Sequence, residues 1–254
     1  MAKAQRPRLD VLLVERGLVD SRQKAQGLIL SGKVLVNDTP VTKAGTRLKP
    51  DVAIRIKGAP LPFVSRGGLK LQAALDAFGV SVDDRVCADL GASTGGFTDC
   101  LLQRGAAKVH AVDVGYGQLA WSLRQDPRVQ VWERTNARHL DTLGEPIELL
   151  VGDLSFISLR KILPAVARLA APGADCVLLV KPQFEVGREG LAKGGLVRDV
   201  GLRDAAVAAV LDDAVAAGFD AKGQIESPIT GAKSGNVEFL VWLVAPLEQP
   251  ADPR

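Results

Sequence analysis

Two lysines and two acids occupy places where a strand–helix chain can bring side chains together. Asp153 follows the apolar run that ends at Val151-Gly152, and Lys181 follows Val177-Leu-Leu-Val180. Glu238 opens the last apolar run, and Lys70 stands on a helix after Ser65-Arg-Gly-Gly-Leu69. In parallel strands, Asp153 and Lys181 project at the same carboxyl edge; a final antiparallel strand puts its own start, and Glu238, at that edge too. Surface Lys–Asp and Lys–Glu pairs explain Lys181 poorly, because a lone charge closing a buried strand is costly. A hydroxyl is a poor nucleophile at neutral pH and needs both a base and an aligned partner. Lys181 can be that base if burial and the nearness of Lys70 favour its neutral form. Asp153 would then hold the lysine and the hydroxyl in line, and Glu238 would orient Lys70 or the acceptor sugar.

A glycine-rich loop lies upstream, Asp89-Leu-Gly91-Ala92-Ser93-Thr94-Gly95-Gly96-Phe97. Glycines between a strand and a helix let the backbone approach a ligand at the carboxyl edge of a sheet. A phosphate loop of the Walker type needs Lys after the last glycine, where Phe97 stands, and a dinucleotide fingerprint wants glycine at 93, where Ser stands. S-adenosylmethionine carries no phosphate and tolerates this variation; Asp89 suits its sulfonium and amino-acid end. Asp113, ending the next strand, can accept from ribose hydroxyls, and Asn136, past the third, can meet an adenine edge. Each of these is also a plain helix cap when taken alone, and a NAD enzyme remains the competing reading. With a methyl donor in the loop, the four ionisable residues describe methyl transfer to a ribose hydroxyl.

The elements needed to position these residues are legible. Strands are expected near 85–90, 108–113, 129–133, 147–152, 175–181, 221–227 and 237–245, with helices in most gaps. That alternation specifies a doubly wound α/β sheet, a class I (Rossmann-like) architecture. Only a loop separates the last two strands, so the last runs antiparallel. Ahead of it, residues 8–57 form a small α+β pattern. Leu9, Leu12 and Leu13 share a helical face stopped by Gly17; Ser21 caps a second helix that ends at Gly32. Lys33 to Val36 is a strand, Asn37-Asp38 a turn, and Val52 to Ile56 a closing strand. Residues 58–64, with Pro60 and Pro62, read as a stiff linker, residues 65–246 as the catalytic domain, and Glu248 to Arg254 as a frayed tail.

Charge separates the two parts. Residues 1–57 hold twelve Lys and Arg against five Asp and Glu, so the rest of this +3 chain is net acidic. A basic module on an acidic body suggests a polyanionic partner. Cys87, Cys100 and Cys176 fit neither a disulfide framework nor a metal-ligand spacing, and His110 and His139 add no cluster, so no metal is expected. No apolar run has the length of a signal peptide core or a membrane span, and the expected setting is a reducing cytoplasm.

Several runs carry a family resemblance: Gly91 to Phe97, Asp113-Val-Gly-Tyr-Gly-Gln118, Glu133-Arg-Thr-Asn-Ala-Arg138, Asp153 to Ser158, Lys181 to Gly187 and Ser234-Gly-Asn-Val-Glu238. Together they resemble the TlyA family over nearly the whole chain, and residues 8–57 resemble an RNA-binding fold named after a small-subunit ribosomal protein. The resemblance implies a ribosomal RNA 2′-O-methyltransferase with an FtsJ-like domain, using S-adenosylmethionine on cytidine in 16S and/or 23S rRNA of ribosomal subunits. The family's Lys-Asp-Lys-Glu tetrad falls on Lys70, Asp153, Lys181 and Glu238. Arg8, Arg22, Lys24, Lys33 and Arg66 are the RNA-contact candidates. One departure is local: relatives carry Arg and Trp before the Val-Ser-Arg run, where this chain reads Leu61-Pro62-Phe63-Val64. Relatives also bear a haemolysin label, which makes a membrane-active protein the alternative of a different class. A non-catalytic ribosome-binding factor is the third.

Overall fold

The structure, a computed structural model, describes residues 6–19, 21–50, 52–57, 61–231 and 235–248. Gly58 to Pro60 of the expected linker, Ser234, and the tail beyond Glu248 lie outside the described residues. The chain forms two compact units: the first runs to Leu61 and includes Pro228–Thr230, and the second holds Pro62–Ser227 and the residues from Gly231 on.

In the N-terminal unit, α1 (Leu9–Glu15) and α2 (Arg22–Leu30) precede a three-stranded antiparallel sheet of β1 (Val34–Val36), β2 (Thr39–Pro40) and β3 (Ile54–Ile56), ordered β2-β1-β3. Ser21 caps α2 by accepting from the Lys24 amide at 3.3 Å, which satisfies one orphan donor of the first turn. Asn37 and Asp38 both take positive φ, +47° and +62°, the left-handed pair that a two-residue hairpin requires. Leu9, Leu13, Ala25, Ile29, Val34 and Val36 bury a small core. Within it sits a carboxylate. Asp10 is fully buried and accepts from Arg8 Nε at 2.9 Å, Arg22 Nη2 at 2.9 Å and Gln26 Nε2 at 3.0 Å.

The second unit begins with α3 (Gly67–Phe78), followed by β4 (Val86–Leu90), α4 (Gly96–Gln103), β5 (Lys108–Val112), α5 (Trp121–Arg124), β6 (Val129–Trp132), β7 (Ile147–Gly152), α6 (Leu163–Leu169), β8 (Ala170–Val180), α7 (Pro182–Glu185), α8 (Val200–Ala216), β9 (Asp220–Glu226) and β10 (Phe239–Val244). The seven strands run β6-β5-β4-β7-β8-β10-β9, with β10 antiparallel to both neighbours. Alternate residues of the central strands feed opposite faces. Leu149 and Val151 join Leu71, Leu75, Cys100 and Leu101 on one side; Leu150 joins Leu163, Val166, Val207 and Val210 on the other. Both faces are therefore covered, as a parallel sheet demands. Each fully buried Leu contributes about 1.5–3 kcal/mol.

Register does the positioning. Leu90 pairs with both Val112 and Gly152, which aligns the exits of β4, β5 and β7. Phe239 pairs with Val180, so Glu238 and Lys181 extend from adjacent strands at one edge. Part of the expected linker belongs to this unit. Phe63 is buried in its core, Val64 N donates to Asp99 Oδ2 at 2.7 Å, and Gln103 Nε2 donates to Pro62 O at 2.8 Å. The apolar ring and the two α4 partners fix residues 62–64 in place.

Candidate active site

The four ionisable residues form one chain of opposite charges. Lys70 Nζ lies 2.5 Å from Glu238 Oε2 and 3.8 Å from Asp153 Oδ2; Lys181 Nζ lies 2.5 Å from Asp153 Oδ1. Lys70, Lys181 and Glu238 are buried, and Asp153 keeps about a quarter of its side chain exposed, 24%. Two positive and two negative charges thus compensate one another at the sheet edge with a single open face at Asp153. Burying such groups is tolerable only when they are paired this closely. Asp153 N also donates to Leu90 O at 3.0 Å, tying this residue to the end of β4 and the glycine loop.

That loop is shaped by contacts on both sides. Gly91 has φ +84°, and a Cβ there would lie 2.8 Å from the carbonyl oxygen of Asp153. Ser93 takes φ +51° without being glycine, and its amide donates to Asp113 Oδ2 at 2.8 Å. Asp113 Oδ1 accepts from Gly115 N at 2.6 Å, so the carboxylate organises two backbone turns while retaining lone pairs for further donors. Ala92, Ser93, Asp113, Gly115, Gln118 and Glu133 line a small open concavity. Gln118 and Glu133 were not among the sequence candidates, although both fall in the runs that carry the resemblance. Ser93 and Thr94 form the exposed tip of the loop.

Asp89 lies beneath the loop, fully buried. Its Oδ2 accepts from Thr98 N at 2.9 Å and Thr98 Oγ1 at 2.7 Å, while Oδ1 has no partner. Burial pushes its carboxyl up to about 7 against the pull of Thr98, and the negative charges of Asp153 and Asp113 push the same way. An orphaned carboxylate oxygen among acids is a place for a cation. The residues therefore fit a ligand with a cationic end and a nucleoside end, as S-adenosylmethionine has.

Four of the cofactor candidates also have structural tasks. Asn136 Oδ1 accepts from Arg138 N at 3.1 Å and caps a short 3-10 turn; it is not among the residues lining the concavity. Phe97 is a core residue, 3% exposed, because its ring packs into the α3–α4 face. Gly95 and Gly96 serve packing. A Cβ on Gly95 would meet Leu123, and one on Gly96 would meet Ser65 and Gly68, so Gly96 brings α3, and Lys70 with it, onto the glycine loop.

Among the RNA-contact candidates, Lys24 and Lys33 are exposed, and Arg66 is half-buried as the N-cap residue of α3. Arg8 and Arg22 are committed to Asp10, and their guanidiniums hold its carboxyl well below the usual range; their first task is structural. All three cysteines are buried and free. Among the described residues no group of three His, Cys, Asp or Glu side chains could hold a metal ion, and no helix is long and apolar enough to cross a membrane.

Comparison with known proteins agrees with this arrangement. The FtsJ-like methyltransferase family matches residues 63–245 and the S4 domain matches residues 7–54. The chain is 51% identical to YqxC of Bacillus subtilis, over 96% of this chain and 88% of that one. It is also 51% identical to the 16S/23S rRNA (cytidine-2′-O)-methyltransferase TlyA of Mycobacterium tuberculosis, over 94% and 90%. A solved structure from Streptococcus thermophilus that bears a hemolysin name superposes with a TM-score of 0.74 at 42% identity, covering 99% of this chain and 92% of that one. A glycine loop beside an alternating Lys-Asp-Lys-Glu chain, on a seven-stranded sheet preceded by an S4 domain, makes this chain a member of the TlyA family of FtsJ-like methyltransferases.

Proposed function

We propose that this protein transfers a methyl group from S-adenosylmethionine to the 2′-hydroxyl of cytidine in 16S and/or 23S rRNA, in the cytoplasm and on ribosomal subunits. The observation that carries the reading is the compensated chain Glu238–Lys70–Asp153–Lys181, open to solvent at Asp153 beside the glycine loop. When bound, the cofactor supplies a methyl group on a positively charged sulfur. Asp89 and the backbone at Gly91 would face its cationic end, and Asp113 its ribose. The neutral amine of Lys181 accepts a hydrogen bond from the acceptor hydroxyl and takes its proton as the oxygen attacks. Asp153 fixes Lys181 from one side, and Lys70, locked by Glu238, fixes Asp153 from the other. The division of labour follows the charge: residues 8–57 capture RNA with Lys24, Lys33 and neighbouring cations, Arg66 contributes from the start of α3, and residues 65–246 perform the transfer.

Ribosomal subunits lacking ribose methylation, incubated with purified protein and labelled cofactor, should gain 2′-O-methylcytidine at a discrete site mapped by mass spectrometry. The Lys181→Ala variant should transfer at least about 100-fold more slowly with cofactor affinity unchanged. Methylation on a base, or none on either subunit's RNA, would refute the assignment.

A further inference from the structure

The four-residue chain does not account for everything that holds Lys181. Its Nζ also donates to Ser155 Oγ at 2.7 Å. Ser155 lies in the loop after β7, two residues beyond Asp153, and Phe156 next to it takes φ +65°. The loop closes at Ser158 and Leu159. Ser158 Oγ donates to Glu185 Oε2 at 2.6 Å, and Leu159 N donates to Glu185 Oε1 at 2.7 Å. Glu185 ends α7, the single turn that begins immediately after Lys181. The loops after β7 and β8 are therefore joined twice, by Lys181 reaching to Asp153 and Ser155 and by Glu185 receiving Ser158 and Leu159.

We infer that Ser155 is a positioning residue for Lys181, and that Glu185 holds the Ser155 loop in the place this requires. A lysine side chain with a single carboxylate partner can still rotate about its last bond. An ammonium has three N–H directions. Ser155 takes one of them as a hydrogen bond, and Asp153 Oδ1 holds the group as an ion pair; a direction stays open toward the exposed face of Asp153, and in the deprotonated amine it is the lone pair that receives the hydroxyl proton. Ser155 thereby sets the direction along which Lys181 meets the nucleophile, the kind of orientation on which transfer rates depend steeply. Glu185 acts one step further out, through the Ser158 and Leu159 bonds. The inference rests on the reading of Lys181 as the group that handles the hydroxyl proton.

The test uses the full-length protein with ribosomal subunits. Ser155→Ala should lower kcat by about ten-fold or more, with unchanged KM for RNA and unchanged cofactor affinity, while Ser155→Thr, which keeps the hydroxyl, should recover most of the rate. Glu185→Ala should lower kcat in the same way, and the double variant should be little slower than the worse single one, because both changes release the same lysine. A readout without catalysis is the ¹⁵N signal of the Lys181 ammonium, assigned by its absence from Lys181→Arg; it should shift or broaden in Ser155→Ala and Glu185→Ala. Wild-type kcat in Ser155→Ala, a loss confined to KM, a Thr variant as slow as Ala, or single effects that multiply would each overturn the inference. If the wild-type protein methylates no ribose, the functional reading fails, and an unmoved ammonium signal in Ser155→Ala would overturn the positioning role by itself.

Discussion

Gly96→Ala separates the packing role of the glycine loop from a ligand role. Gly96 is the first residue of α4, and its Cα approaches α3 where Gly67 and Gly68 lie. A Cβ would stand 2.2 Å from Ser65 Oγ, 2.9 Å from Gly68 N and 3.2 Å from Gly67 Cα. The serine can rotate away; the two backbone atoms cannot, so α3 must recede. Two energies oppose. Alanine in place of glycine favours the helix by about 1 kcal/mol, while overpacking costs about 1–3 kcal/mol, leaving a net loss of about 0–2 kcal/mol. At about 2–4 °C per kcal/mol for a body of this size, Tm falls by no more than about 8 °C. Activity should suffer far more, because Lys70 stands two residues after Gly68 and its ammonium must stay 2.5 Å from Glu238 and 3.8 Å from Asp153. A displacement of about 1 Å in such a constellation costs about 100-fold. Steady-state methylation, calorimetric cofactor binding and thermal melts on the same preparation decide it. A raised Tm with unchanged kcat would refute the claim that Gly96 sets the height of α3.

Other expectations follow from the same geometry. Lys24→Glu and Lys33→Glu should each weaken subunit binding at low salt and flatten its salt dependence by about one counterion per lost phosphate contact; unchanged affinity would remove the residue from the interface. Arg22→Glu is a poor probe of RNA, since it would set a second carboxylate against buried Asp10 and should lower Tm before any RNA is added. Burial pushes the Cys87 and Cys100 thiols up to about 12, and Cys176 higher still, so a thiol reagent at neutral pH should label none of the three until denaturant is added. Fully buried His110 accepts from Trp132 Nε1 at 3.1 Å through Nδ1 and faces Glu145 through Nε2 at 2.9 Å. Burial lowers its pKa, so the unfolded chain binds the extra proton first. Its contribution is intact above pH about 6.5 and declines as pH falls below that value. Urea unfolding at pH 7.5 and 5.5 should show a drop that is smaller in His110→Gln; equal drops would mean another group is responsible.

The fold was legible because its signals are local and redundant. Apolar runs such as Val177-Leu-Leu-Val180 suit strands covered on both faces, and Gly17, Ser21 and Gly32 punctuate the N-terminal helices through backbone geometry that the residue type favours. The antiparallel last strand followed from the short connection before it. What escaped were features set by a partner distant in sequence. Phe63 looked like a linker aromatic because nothing nearby reveals that Gly68 opens a slot for its ring. Asp10 reads as one acid in a basic segment, yet it is buried and ties down Arg8 and Arg22, whose side chains remain partly exposed.

The site shows the same division more sharply. Asp153, Lys181 and Glu238 were identifiable because each is a charge at the end of an apolar run, and Lys70 because it interrupts a largely apolar helix; such placements are expensive unless the charges meet. Asn136 has the same kind of placement, but its side chain already satisfies the amide of the turn it caps, so its position alone says less about a ligand. Burial separates the two cases. Three of the tetrad residues are almost completely withdrawn from water and depend on one another, whereas Asn136 stays exposed and pays no desolvation cost. Ser155 and Glu185 are uncharged or surface-like in sequence, and their value lies in distances that only folding creates. A polar residue at a strand end is therefore informative about chemistry to the extent that its own backbone cannot satisfy it, and by that measure Asp89, with one oxygen left unpaired in the interior, is the cofactor-loop residue whose replacement should reveal most about what binds there.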